Sequence, residues 1–402
     1  IALAYFRNEP KYSRYFDNVW LLRDVPDEYG ISKKDQGVDI VGRNRHSGEL
    51  VAIQAKYYSQ DSNINKSDID SFLNEVGKNY YSEGIVVSST DYWSSAAEET
   101  LVDRDKEIIR MGFTELKNSK IDWSQFYIKR GDELTRTEIT KSPRAHQIEA
   151  INATLEGFKT TDRGKLIMAP GTGKTYTSLQ IAEELAIKKQ RQSNESFVVL
   201  YLVPSIQLLS QTLTSWTADT RFKMDSFAVT SDRQATRKTK GDDDRDITVA
   251  DLGFPATTNK NDLLDNQRYL EESEDKAEII AVFSTYHSIQ VIGDAQKEGF
   301  YNFDLIVADE AHRTTGATKS GKEESHFVKV HNNNNVKAHK RLYQTATPRI
   351  YGEKAKQRAV DESVVIADMN DEKTYGPEFF RLGFGEAVHR GILSDYKVMI
   401  LA

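Results

Sequence analysis

Three groups of residues have types and spacings that can do chemistry. The first is Ala169-Pro170-Gly171-Thr172-Gly173-Lys174-Thr175, which follows the apolar run Lys165 to Met168 and leads into a helical stretch, Tyr176 to Leu185. A strand that enters a glycine-rich turn and then a helix is the setting of a phosphate loop. Gly171 and Gly173 let the backbone N–H groups on either side of Thr172 face phosphate oxygens, and the helix N-terminus adds a favourable dipole. Lys174 then neutralises β- and γ-phosphate charge, and Thr175 offers a hydroxyl to Mg2+. The strict pattern has Gly where this chain has Met168. A chance Gly-Thr-Gly-Lys-Thr turn is the plain alternative, and the flanking strand and helix argue against it.

The second group is Asp309-Glu310-Ala311-His312, at the end of the apolar run Phe303 to Ala308. A carboxylate at a strand's C-terminal end can hold the Mg2+ shell, while its neighbour accepts a proton from water. Asp309 is thus the expected metal ligand and Glu310 the expected general base. The third group lies near the N-terminus, where Gly37-Val38-Asp39-Ile40-Val41 precedes Val51-Ala52-Ile53-Gln54-Ala55-Lys56. If both are strands, alternation puts Gln54 and Lys56 on one face, and a hairpin at Ser47-Gly48 can bring Asp39 beside them. A carboxylate, an amide oxygen and an ammonium together can bind Mg2+, orient water and offset phosphate charge. Spacing alone favours the plainer option of a surface Asp and Lys on an amphipathic hairpin.

The elements that must position these groups follow from the apolar pattern. The chain has 402 residues and a formal net charge of −7, from 54 Lys+Arg and 61 Asp+Glu. Its length predicts two or three domains. Hydrophobic residues at 38% and a mean hydropathy of −0.60 fit packed cores with a wet surface. With no Cys, disulfides, thiol nucleophiles and Cys-ligated metals are excluded. No run is apolar for long enough to span a membrane, and the start lacks a signal-peptide pattern, so a cytoplasmic protein is expected. The acidic total leaves a nucleic-acid partner open, because grooves are charged locally. The first residue, Ile1, fits a segment of a longer chain.

Residues 1–118 read as a small α/β unit with strands at Val19 to Leu22, Val38 to Val41, Leu50 to Ala55 and Ile85 to Val87. Helices are expected at Ser67 to Tyr80, capped by Ser67, and at Ser94 to Arg104. Residues 119–141 read as a linker. A second α/β unit, 142–384, carries strand runs at Lys165 to Met168, Phe197 to Val203, Ser226 to Thr230, Ile279 to Phe283, Leu305 to Ala308 and Arg341 to Thr345. Strands alternating with helices predict a mainly parallel, doubly wound sheet. Thr230 to Asp251 and Thr315 to Lys340, rich in charge, Gly, Asn and His, are expected loops. Arg233, Arg237, Lys238 and Lys240 in the first of these fit solvated surface better than phosphate contacts.

The nucleotide motifs, with Arg144-Ala145-His146-Gln147, Leu202-Val203-Pro204-Ser205, Ser284-Thr285-Tyr286-His287-Ser288 and Thr345-Ala346-Thr347-Pro348-Arg349 in order, resemble superfamily 2 helicases and translocases. The resemblance implies ATP and Mg2+ as cofactors. It places Arg144 and Gln147 in an adenine-reading segment, with Gln147 alternatively only capping a helix. It makes 142–384 the first of two RecA-like lobes and 385–402 a connector towards a second. The residues after Arg349 are too few for that second lobe, so half a motor with slow hydrolysis is expected.

Gly37-Val38-Asp39 with Gln54-Ala55-Lys56 is similar to PD-(D/E)xK nucleases of the Mrr-like branch. That resemblance makes Asp39 and Gln54 metal ligands and Lys56 the group that polarises nucleophile or phosphate. A further acid on a preceding helix belongs to the pattern. Glu9 fits it poorly, and the acid is expected upstream of Ile1. Ser88 and Ser89 either line the same face or simply end a strand.

A nuclease fused to such a motor resembles the Type ISP restriction-modification class. This implies translocation on double-stranded DNA followed by cleavage, with a second lobe, methyltransferase and target-recognition parts further along the polypeptide and no membrane partner. The alternatives are a subunit of a conventional Type I restriction or repair system, a helicase with an inactive DNA-holding N-terminal module, and a nucleotide switch on a non-enzymatic scaffold.

Overall fold

The computed structural model describes residues 1–34, 36–101, 104–123, 141–230, 254–319, 326–349 and 364–395. Arg233, Arg237, Lys238 and Lys240, most of the expected 119–141 linker and the last residues of the expected connector lie outside the described residues. The chain divides into two compact units, one of residues 1–140, 206–218 and 224–276, the other of residues 141–205, 219–223 and 277–402.

In the first unit, β1 (Phe16–Leu21), β2 (Ile40–Asn44), β3 (Leu50–Lys56), β4 (Tyr81–Ser88) and β5 (Ile108–Met111) form one sheet in chain order. The first three strands are an antiparallel meander, and β3, β4 and β5 are parallel. A parallel step needs a crossover. The helix Lys66–Val76 supplies it between β3 and β4. Its cap is Asn65 rather than Ser67. The Asn65 backbone N–H donates to the Asp68 carboxylate at 2.7 Å, and this reciprocal capping box outcompetes a lone serine. The helix buries Ile69, Phe72, Leu73 and Val76 against Val41, Ala52, Val86 and Ile108. The second helix spans only Ser95–Glu99, with Ser94 accepting from the Ala97 N–H. Strand β5 and the helix Ala2–Asn8, which buries Ala4, Tyr5 and Phe6, were not marked by the sequence pattern because each is short. The same unit pairs β8 (Met224–Val229) in parallel with β9 (Ala256–Thr257).

In the second unit, β6 (Arg163–Met168), β7 (Phe197–Val203), β10 (Ile279–Thr285), β11 (Phe303–Ala308), β13 (Ala338–Thr345) and β15 (Glu378–Leu382) lie in the order β15-β6-β13-β11-β7-β10. Every pairing is parallel. All seven residues of β7 and all seven of β10 are buried, as expected of parallel strands covered on both faces. The expectation that Thr315 to Lys340 is loop throughout is corrected. Gly316–Lys319 is strand β12, paired antiparallel with β14 (Val364–Ala367), Val328–His331 is a short 3-10 turn, and β13 begins at Ala338. The partner of β12 is remote in sequence, so no local pattern announces it. Among the described residues no helix is long and apolar enough to cross a membrane.

One partly buried acid in the first unit, Glu83, ties stability to pH. Burial pushes the Glu83 carboxyl on β4 up to about 7, against the lowering effect of the hydrogen bond donated by the Tyr15 hydroxyl. The folded state therefore holds its proton more tightly than the unfolded chain. The contribution of Glu83 is fully present below the ordinary carboxylate range and is lost as pH rises through about 7. Glu83→Gln is expected to raise the melting temperature at pH 8 and to flatten its decline between pH 5 and pH 8. A variant with the wild-type pH profile would contradict this.

Candidate functional site

The phosphate loop is built where β6 ends. Gly171 and Gly173 adopt φ of 78° and 86°, which favour glycine, and the helix Lys174–Ser193 starts directly behind them. A Cβ on Gly173 would stand 2.4 Å from Gln147 Nε2, so a side chain there would displace that amide as well as strain the backbone. The Lys174 ammonium donates to the Met168 carbonyl at 3.2 Å, while the Met168 side chain is buried. The chain departs from the strict pattern at Met168, and there the backbone carbonyl makes the contact. Thr172 Oγ1 donates to the Ala169 carbonyl at 2.6 Å and closes the turn.

Arg144 and Gln147 open the helix Ala145–Gly157. Gln147 Oε1 accepts from the Arg144 N–H at 2.8 Å, and its Nε2 faces the Thr172 and Gly173 carbonyls at 3.4 Å each. His146 Nε2 also lies 3.0 Å from the Thr172 carbonyl. Gln147 therefore caps its helix with one end of its amide and supports the phosphate loop with the other. Arg144 is exposed.

Asp309 follows β11, next to β7 in the sheet. The Tyr201 hydroxyl on β7 donates to Asp309 Oδ2 at 3.4 Å and receives Gln344 Nε2 from β13. Tyr201 also exchanges side-chain hydrogen bonds with Thr175 and Ser178 of the phosphate-loop helix. One buried phenol thus joins the two nucleotide motifs. Sequence reasoning missed it, since Tyr201 sits inside a run that reads as core. Gln344, a polar residue in an otherwise apolar strand next to Thr345, was the available signal. Burial raises the Asp309 carboxyl above its usual range, opposed by the Gln344 hydrogen bond, the Glu310 N–H and the Lys174 charge. A desolvated carboxylate beside one lysine is a place where a cation lowers the energy.

Glu310 has φ 48° and ψ 45°, a left-handed conformation that costs a non-glycine residue about 1–2 kcal/mol. Its carboxylate lies 3.3 Å from His312 Nδ1, which is 3.0 Å from Thr345 Oγ1. The acid is therefore linked through one imidazole to the segment Thr345 to Thr347.

In the first unit, β2 and β3 pair Ile40 with Ile53, and the antiparallel register continued by one residue sets Asp39 opposite Gln54. The Asp39 N–H donates to the Ile53 carbonyl at 3.0 Å, and Asp39 Oδ2 accepts the Ala55 N–H at 2.8 Å. Gly37, with φ 97°, brings the chain against Gln54, where a Cβ would stand 3.1 Å from Nε2. Gln54 is buried, and its Oε1 has no hydrogen-bond partner among the described residues. A buried, unpartnered amide oxygen beside a carboxylate fits a hard cation. Lys56 ends β3, half-buried and without an ion pair among the described residues.

Glu9 is buried at the end of the helix Ala2–Asn8, where its Oε2 accepts the Lys120 N–H at 3.1 Å. Ser88 and Ser89 serve the backbone, Ser88 Oγ accepting from the Thr90 N–H and Ser89 Oγ bonding both polar groups of the Tyr58 backbone. Among the described residues no cluster of three His, Cys, Asp or Glu side chains is assembled. Each candidate metal position thus offers one carboxylate with neutral oxygens, the sparse donor set that suits Mg2+ completed by water and phosphate.

Residues 7–133 match the family model described as a restriction endonuclease. Residues 140–350, over half the chain, match the Type III restriction enzyme res subunit. The chain resembles the ATP-dependent Type ISP restriction-modification enzyme LlaBIII bound to DNA, with a TM-score of 0.83 and 50% identity over 98% of this chain and 24% of that one. It is 48% identical to a nuclease-deletion mutant of the Type ISP enzyme LlaGI in complex with a DNA substrate mimic, over 63% of this chain and 21% of that one, with a TM-score of 0.49. The probable helicase A859L of African swine fever virus (strain Badajoz 1971 Vero-adapted) is 26% identical over 268 residues, 67% of this chain and 25% of that protein. The chain spans about a quarter of the length of the relatives it matches.

The desolvation of Asp309 generates a test. Asp309→Asn is expected to abolish nucleotide hydrolysis while raising the melting temperature of the nucleotide-free protein at pH 8, because the neutral amide removes a buried charge. A fall in melting temperature would show that Asp309 is a structural anchor.

Proposed function

Because the chain belongs to the Type III restriction enzyme res-subunit family and carries a restriction-endonuclease domain ahead of that part, we propose that it is the nuclease and motor portion of an ATP-dependent restriction enzyme of the Type ISP kind. In this reading the intact polypeptide moves along double-stranded DNA and cuts it, and works in the cytoplasm. A second RecA-like lobe, a methyltransferase and target-recognition domains belong to the same polypeptide. The observation that carries the reading is the Asp39–Gln54 pairing near the end of β3, with Gln54 Oε1 buried and without a hydrogen-bond partner among the described residues, in a chain that also builds a glycine turn ahead of the helix Lys174–Ser193.

Asp39 and Gln54 are assigned to one Mg2+, and Thr175 and Asp309 to another. A divalent cation so held supplies charge opposite phosphate oxygens and acidifies bound water. Lys56 places its ammonium against the scissile phosphate and offsets the charge that develops on it. Gly171, Thr172, Gly173 and Lys174 hold the triphosphate of ATP. Arg144 stands as an exposed cation for the nucleotide, and Gln147 shapes the loop that receives it. Glu310 takes the proton of the attacking water. His312 holds Glu310 in register with Thr345, so loss of the γ-phosphate is felt by the segment that leads to Arg349.

In the intact polypeptide, Lys174→Ala is expected to lower duplex-stimulated ATP hydrolysis by at least about 100-fold, the range of a lost electrostatic contact at a transferring phosphoryl group. Asp39→Ala is expected to abolish Mg2+-dependent DNA cleavage and leave ATP hydrolysis intact. Cleavage by Asp39→Ala at the wild-type rate would sink the nuclease half of the proposal, and wild-type hydrolysis by Lys174→Ala the motor half.

A further inference from the structure

Among the described residues of the first unit, the two exposed aromatic side chains lie at one end of the sheet. Among its described residues, Tyr57 is 93% exposed and Tyr92 is 42% exposed, and the unit's other tyrosines, phenylalanines and tryptophans are at least partly buried. Both follow the C-terminal ends of neighbouring parallel strands, Tyr57 directly after Lys56 of β3 and Tyr92 in the turn after Ser88 of β4. This is the end of the sheet at which Asp39, Gln54 and Lys56 meet.

The backbone under these rings is held. The Ser89 N–H donates to the Lys56 carbonyl at 3.0 Å, and Ser89 Oγ bonds the Tyr58 N–H and carbonyl at 2.7 Å each. Thr90 Oγ1 donates to the Gln60 and Ser62 carbonyls, and the Ile64 N–H donates to the Tyr92 carbonyl at 2.9 Å. The segment 57–64 is therefore stitched to the segment 88–92. A tyrosine left almost wholly in water on a fixed backbone forgoes the burial that stabilises its neighbours. That arrangement suits a ring that gains its burial from a ligand, and a rigid ring loses little entropy in doing so.

We infer that Tyr57 and Tyr92 form an aromatic rim that packs on the sugars and base edges flanking the scissile phosphate of duplex DNA. The inference rests on the nuclease reading of Asp39, Gln54 and Lys56, whose bound phosphate would put DNA within one residue of Tyr57. Both tyrosines act as positioning residues.

The intact polypeptide carrying p-benzoylphenylalanine at position 57 is expected to crosslink to a labelled duplex under ultraviolet light. Tyr57→Ala with Tyr92→Ala should raise the DNA concentration for half-maximal Mg2+-dependent cleavage about 10- to 150-fold, the equivalent of one aromatic side chain losing its burial. Tyr57→Phe alone should keep the wild-type value, and Tyr57→Ala alone should raise the half-maximal concentration without moving the melting temperature. Absence of a crosslink, or an unchanged half-maximal concentration in the double variant while the wild type cuts, overturns the rim. A crosslink from position 57 in a protein whose wild-type form does not cut DNA upholds the rim and refutes the nuclease reading, so the two failures are told apart.

Discussion

A parallel strand buried on both faces can offer a polar side chain to a ligand only where it ends. Nearly every chemically competent residue of this chain obeys that constraint. The phosphate loop begins where β6 stops at Met168, Asp309 is the first residue past β11, and Thr285 is the last residue of β10. In the first unit, Lys56 closes β3 and Asp39 sits one residue before β2, which pairs with β3 in the opposite direction. Two separate sheets thus place their reactive groups by the same rule. The interiors of the strands are mostly apolar, and the buried polar side chains within them, such as Tyr201 and Gln344, bind other protein groups.

Joining those ends is the second task, and buried polar side chains perform it. Tyr201 touches the helix of the phosphate loop, the carboxylate of Asp309 and the amide of Gln344, three segments far apart in the chain. Buried hydrogen bonds of this kind are costly to leave half made, which is why they hold their partners in one arrangement. Tyr286 adds a hydrogen bond from its hydroxyl to the Asp309 carbonyl at 2.7 Å. The Asp309 carboxylate, the candidate metal position, is therefore framed from both neighbouring strands, while Glu310 sits on a strained backbone beside His312.

The two candidate metal positions are electrostatically incomplete in different ways. Asp309 carries a charge that burial disfavours, and Gln54 carries an acceptor with no hydrogen-bond partner among the described residues. Each is a local disadvantage that a bound cation would remove. Elsewhere in the first unit, Glu83, with its proton retained to about pH 7, is a matter of stability.

The sequence by itself marked the candidate residues that lie within one short window. Gly171 to Thr175 and Asp309-Glu310 stand out because each is local, a strand followed at once by residues of suitable chemistry. The buried runs Phe197 to Val203 and Ile279 to Phe283 were legible as strands for the same reason, their burial showing in their composition. The strand β15 was not, since Glu378–Leu382 alternates weakly and is held by pairing with β6 from a distant part of the chain. Only the tertiary structure decided that Asp39 faces Gln54, that Gln147 is engaged with the phosphate loop, and that Tyr201 and Gln344 belong to the nucleotide site. Those facts depend on sheet register and strand order. They are set by the packing of surfaces remote in sequence, which no local pattern of residue types encodes.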